Sequence, residues 1–172
     1  MCIVIDTNVF QRVFDITNMD HSNYSVIRDW IYSGKGKIVF GGSTYSKENI
    51  VSSRRNRSLL AVLKSLDKVH EADSKIVDEH EIRIKNMINK ADFDDPHIAA
   101  IICTCGCKLV ATWDKNSLKY LKLAKIYKGH SDVPKFYLSE RNADLLVDKN
   151  IADCCTPSKK TTKAQKEKLK GL

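Results

Sequence analysis

Short runs that are apolar almost throughout constrain this chain most. CIVI (2–5), a run at about 37–41 in KIVFG, and KLVAT (108–112) lack the apolar–polar alternation of a strand with one face in water. Strands without that alternation are covered on both faces. Between them lie segments whose apolar residues recur at helical spacing. A parallel connection must cross over, and the crossover helices are what cover the two faces of the sheet. The expected fold is therefore α/β, a three-layer α/β/α sandwich around a central, mainly parallel sheet. KFYL (135–138) is expected to add a fourth strand.

The helical segments can be named. YSKENIVSSRRNRSLLAVLKSL places Ile50, Leu59, Leu60, Leu63 and Leu66 on one stripe. SKIVDEHEIRIKNMINK does the same with Ile76, Val77, Ile84 and Ile88. DDPHIAAIICTC is a short apolar helix, WDKNSLKYLKL another, and DWIYS ends a helix before a Gly-Lys-Gly turn. The 172 residues suit one domain, expected over residues 1–150, followed by a basic tail over residues 151–172. No internal repeat is present.

Charge is distributed unevenly. The formal net charge is +8, and TPSKKTTKAQKEKLKGL (156–172) supplies +5 of it through six lysines and one glutamate. A stretch so polar is expected to be disordered or a frayed helix that packs on nothing, and its lysines Lys159, Lys160 and Lys163 suit a polyanion such as nucleic acid. The other reading is a solubilising tail. Arg54, Arg55 and Arg57 in SSRRNRS are further candidates for phosphate contacts, or a solvated helix face. No apolar run approaches the roughly 20 residues of a membrane span. No signal-peptide pattern opens the chain, so no membrane and a cytoplasmic location are expected. The cysteines Cys2, Cys103, Cys105, Cys107, Cys154 and Cys155 are expected to be reduced, packed thiols, because CTCGC lacks the C-x-x-C pairs of zinc knuckles.

Four acidic residues carry the chemistry. Asp6 follows the first strand directly, Glu48 lies on the helix after the second, Asp95 opens DPHIAAII, and Asp114 follows KLVATW. In an open α/β sheet ligands sit beyond the carboxyl ends of the strands. Asp95 and Asp114 each have a plain reading as a helix cap, and Pro96 at the first helical position fits it. Carboxylates converging in one crevice repel one another, and hard divalent cations relieve that cost. A metal site of this kind suits phosphodiester hydrolysis.

IVIDTNVF, YSKEN, DDPHIAAI and KLVATWDK stand in the order in which they occur in the PIN-domain nucleases, a family this chain resembles over roughly residues 2–138. The resemblance implies catalysis by Asp6, Glu48, Asp95 and Asp114, with Mg²⁺ or Mn²⁺ bound by Asp6, Asp95 and Asp114. It prefers Asp95 to Asp94. It implies that Thr7 and Asn8 buttress the first Asp by hydrogen bonds. Asn116 stands where many relatives have a further acid. Small single-domain members resemble the toxins of toxin–antitoxin pairs, which cut RNA. The expected function is a divalent-metal-dependent endoribonuclease, with RNA, an antitoxin protein and a second copy of the chain as partners. The competing readings are an inactive nucleic-acid-binding protein and a structure-specific DNA nuclease. Asn8 argues against haloacid-dehalogenase phosphatases, which need an Asp there, and the missing early acidic pair argues against receiver domains.

Overall fold

The computed structural model describes residues 2–52, 54–147, 150 and 152–169, and the side chains of all of these except 49–52. The elements are β1 (Cys2–Ile5), α1 (Thr7–Phe14), α2 (His21–Ser33), β2 (Lys37–Gly41), α3 (Ser43–Ser52), α4 (Arg54–Ser65), β3 (Val69–Ala72), α5 (Ser74–Ile88), α6 (Pro96–Cys105), β4 (Leu109–Ala111), α7 (Lys115–Leu121), β5 (Lys135–Tyr137) and α8 (Lys163–Leu169). The strands form one all-parallel sheet in the order β3-β2-β1-β4-β5. One rung, His70, Val39, Val4, Val110 and Phe136, crosses it from edge to edge. The three-layer α/β/α sandwich is thus the observed fold. No helix among the described residues is long and apolar enough to cross a membrane.

β1 shows why the order matters. Cys2 and Val4 pack with α5 and α6 through Val77, Ile84, Ile98 and Ile101. Ile3 and Ile5 pack with α1, α2 and α4 through Phe10, Ile27 and Leu63. All four residues of the strand are fully buried, as an uninterrupted apolar run requires. The chain moves outward from β1 to β3, then crosses to β4 on the other side of β1. The order therefore reverses between β1 and β4, which opens a crevice beyond their carboxyl ends. Gly42 at φ +84° turns the chain out of β2 into α3, and a Cβ there would meet Val77 Cγ1 at 2.6 Å.

Several local expectations are corrected. β3, with the sequence VHEA, is a short edge strand that apolar patterning does not reveal. Residues 43–52 and 54–65 are helical, α3 and α4, and Ser53 between them lies outside the described residues. On the expected stripe Leu59, Leu63 and Leu66 are buried and Leu60 is half-buried, while the Ile50 side chain lies outside the described residues. Ile76 is 45% exposed, because it falls in the first turn of α5 where Asp73 caps Lys75 and Ile76. The helix expected from WDKNSLKYLKL begins only at Lys115, with Asp114 as its cap.

The C-terminal segment also differs from expectation: it packs. Leu169 is 1% exposed and joins the core beneath α2 and α4. Thr161 Oγ1 donates to the Ile31 carbonyl at 3.4 Å, and Gln165 Nε2 to that of Leu66 at 3.5 Å. The buried Lys68 ammonium donates to the carbonyls of Gly34 (2.8 Å) and Lys159 (3.1 Å). A buried cation needs such acceptors, and the segment supplies one of them. Ile31, Gly34, Leu66 and Lys68 all precede β2 or β3, so the segment lies along the amino edge of the sheet.

Candidate metal centre

Asp6 ends β1 and starts α1. Its backbone N–H still pairs with Ala111 O of β4 at 2.9 Å, while its carboxylate caps the helix. Oδ1 accepts from Asn8 N at 3.2 Å. Oδ2 accepts from Asn8 Nδ2 at 2.8 Å and from Thr112 Oγ1 at 2.7 Å. The residue is only 2% exposed. Burial pushes its carboxyl up to about 6, and the charge of Asp95 adds to that; the Thr112 and Asn8 bonds and the nearby His97 pull the other way.

Thr112 ties the two strand ends together. Its oxygen accepts from Asp114 N at 3.0 Å while its proton goes to Asp6. Asp114 caps α7, accepting from Asn116 N at 2.7 Å and from Ser117 Oγ at 3.0 Å. Ser117 Oγ also lies 3.2 Å from Asp94 Oδ1, and its single proton serves one carboxylate at a time.

Asp95 separates the metal reading from the capping reading. It occupies the N-cap position of α6, with Pro96 in the first turn, yet its side chain makes no capping hydrogen bond. Carboxylate oxygens of Asp94, Asp95 and Asp114 instead lie within 4.8 Å of one another. Burial pushes Asp95 up to about 6; Asp94, Asp114 and Glu48 add like charge against a hydroxyl bond from Ser117. Glu48, carried in by α3, accepts from Thr7 Oγ1 at 2.8 Å. His97 Nε2 is 3.6 Å from the same oxygen, and neither ring nitrogen of this buried histidine makes a hydrogen bond among the described residues.

The four acids named from the sequence therefore converge, and Asp94, which had been set behind Asp95, stands with them. Asn8 buttresses Asp6 as expected; Thr7 does not, because its hydroxyl is committed to Glu48. Asn116 acts through its backbone N–H, with its side chain exposed. Sequence reasoning missed Thr112, Ser117 and His97; the proximity of the first two to Asp114 was the available signal. Arg54, Arg55 and Arg57 are exposed on α4, Arg55 lying 3.3 Å from Asp15. Lys159, Lys160 and Lys163 are exposed on the C-terminal segment, at the end of the sheet away from the carboxylates. Beside the crevice, Trp113 is 48% exposed with the Arg12 guanidinium 4.2 Å from its ring centroid. A cavity of about 480 Å³ lies elsewhere, bordered by His80, Arg83, Cys103, Lys108, Lys128 and Asp132, and includes none of these acids.

An all-oxygen set of carboxylates, two of them held near 6 by burial and mutual repulsion, fits a hard divalent cation and no soft one. Comparison with family models, with curated proteins and with solved structures found no match to this chain.

Proposed function

We propose that the protein is a divalent-metal-dependent endoribonuclease. The observation that carries this reading is Asp95, a carboxylate in a capping position that caps nothing and is gathered with Asp94 and Asp114 beside the buried Asp6. Asp6, Asp95 and Asp114 are the residues that would hold Mg²⁺ or Mn²⁺. The bound ion would supply an activated water, orientation of the phosphate and relief of charge on the leaving oxygen.

The chain's own residues prepare that site. Thr112 and Asn8 hold the Asp6 carboxylate in one orientation, and Ser117 holds that of Asp114. Thr7 holds Glu48 through its hydroxyl hydrogen bond. The exposed Trp113 ring, backed by Arg12, is a platform on which an unpaired base stacks, which favours single-stranded RNA over a duplex. The net charge of +8 favours a polyanionic substrate.

Purified protein with Mn²⁺ or Mg²⁺ should cut single-stranded or looped RNA, and EDTA should stop it. Unchanged cleavage in EDTA rules out the metal mechanism. Binding of RNA without cleavage under any divalent metal favours the inactive binding protein.

A further inference from the structure

At the opposite end of the sheet, sulfur gathers. Cys2 opens β1, Cys105 closes α6, Cys107 precedes β4, and Cys154 and Cys155 lie in one 3-10 turn of the C-terminal segment, Asp153–Cys155. All five are free thiols, and Cys2, Cys107 and Cys155 are buried. The sulfurs of Cys2, Cys154 and Cys155 lie within 4.8 Å of one another, and so do those of Cys105 and Cys154 with a ring nitrogen of His70. Cys154 belongs to both groups, and its sulfur is 3.6 Å from that of Cys155. Cys107 stands beside them, donating to the Cys2 carbonyl at 3.5 Å.

Burial alone does not account for this. A buried free cysteine packs as a small apolar residue, and nothing in that role draws one sulfur to another. Here three separate stretches of chain bring theirs into two overlapping groups that share Cys154. Zinc bonds thiolates at about 2.3 Å in a tetrahedron, which sets neighbouring sulfurs about 3.8 Å apart. The Cys154–Cys155 spacing already approaches that value.

We propose that Cys2, Cys105, Cys154 and Cys155 form a structural zinc site that clamps the C-terminal segment to the amino edge of the sheet. Binding exchanges four S–H bonds for four S–Zn bonds; the protons leave to solvent and no electron is transferred. The site is independent of the carboxylate crevice and of the reaction assigned to it.

Cobalt is the probe. Full-length protein, purified reduced and stripped with a chelator, is titrated with Co²⁺. One equivalent should give the strong visible bands of tetrahedral cobalt and a thiolate-to-cobalt charge-transfer band, both bleached by Zn²⁺. Cys154→Ser should weaken cobalt binding more than about a hundredfold, since losing a ligand exceeds the loss seen for outer-sphere partners. Asp95→Asn should leave the bands unchanged, which separates this site from the carboxylates. Reduced protein that develops no charge-transfer band overturns the proposal, as does a band that survives Cys154→Ser. If Cys154→Ser does not fold, the wild-type titration decides. A disulfide within the cluster, found by mass spectrometry in protein whose reduced form gives no band, assigns the thiols to redox chemistry instead.

Discussion

The two ends of the central strand are built from opposite chemistry. Beyond the carboxyl end of β1 stand hard oxygen donors, Asp6, Asp95 and Asp114 with Asp94 and Glu48; at its amino end stand the soft sulfurs of Cys2, Cys154 and Cys155. Their costs without a cation differ. Ionised carboxylates repel and resist burial, so Asp6 and Asp95 are both pushed up to about 6. Thiols are neutral at the same pH and pack as apolar groups, so the sulfur cluster costs little when no metal is bound. On the two proposals made above, a cation would relax the strained carboxyl end and only tighten the packed amino end.

The largest expected effect separates the two ends by activity. Asp6→Asn should lower metal-dependent RNA cleavage by several kcal/mol of barrier, on the order of a thousandfold, while leaving RNA binding largely intact. Cys154→Ser should cut RNA at the wild-type rate in a gel assay. Equal losses in the two variants would show that the ends are not separable.

The next effect is on stability against pH. Asp6 rises from 3.8 to about 6 on folding, so the folded state binds its proton more tightly than the unfolded state. The associated stability is fully present below the unfolded value and is lost as pH rises through the folded one. Metal-free protein should therefore lose about 3 kcal/mol on account of Asp6 between roughly pH 4 and pH 6, with Asp95 adding a fall in the same window, and Asp6→Asn should remove the Asp6 share in urea melts. A stability that climbs through this window would mean that the carboxylates are relaxed without a cation.

Leu169→Ala should cost about 2 kcal/mol in the same melts, because it empties a buried position beneath α2 and α4. It should leave the cobalt bands of the sulfur end in place, showing that the C-terminal segment is held at two independent points. Loss of both together would make them one.

The smallest effect is the sharpest test of the strained end. Asp95→Asn removes a charge from a crowded crevice and loses no capping bond, since Asp95 makes none. Metal-free and above pH 6, the variant should melt as high as wild type or higher. Its rise in melting temperature with Mn²⁺ should shrink, because stabilisation by a ligand follows affinity. An unchanged Mn²⁺ response would return Asp95 to the role of a helix-start residue.

The two ends also differ in how far the sequence reveals them. Asp6, Asp95 and Asp114 each sit within three residues of an apolar run, so a local pattern locates them, and parallel topology then brings them together. The layered fold was legible for the same reason, in CIVI and KLVAT. β3 was not, because VHEA places two adjacent polar residues at the centre of a four-residue edge strand. The sulfur end depends on contacts between residues more than 100 positions apart in the chain, which CTCGC and CC do not announce. The packing of the C-terminal segment rests on one leucine and a few carbonyl bonds in a stretch that composition alone marks as solvated.

β1 gives its residues alternately to two cores, Cys2 and Val4 to one and Ile3 and Ile5 to the other. The spacing from Cys2 to Asp6 is therefore fixed by both faces at once. An inserted or deleted residue inside this strand turns every side chain on one side of the change to the opposite core. Whichever end keeps its register, the other loses its donor. Length changes can accumulate in the turns between helices, but the five positions from Cys2 to Asp6 admit substitution and no change in number.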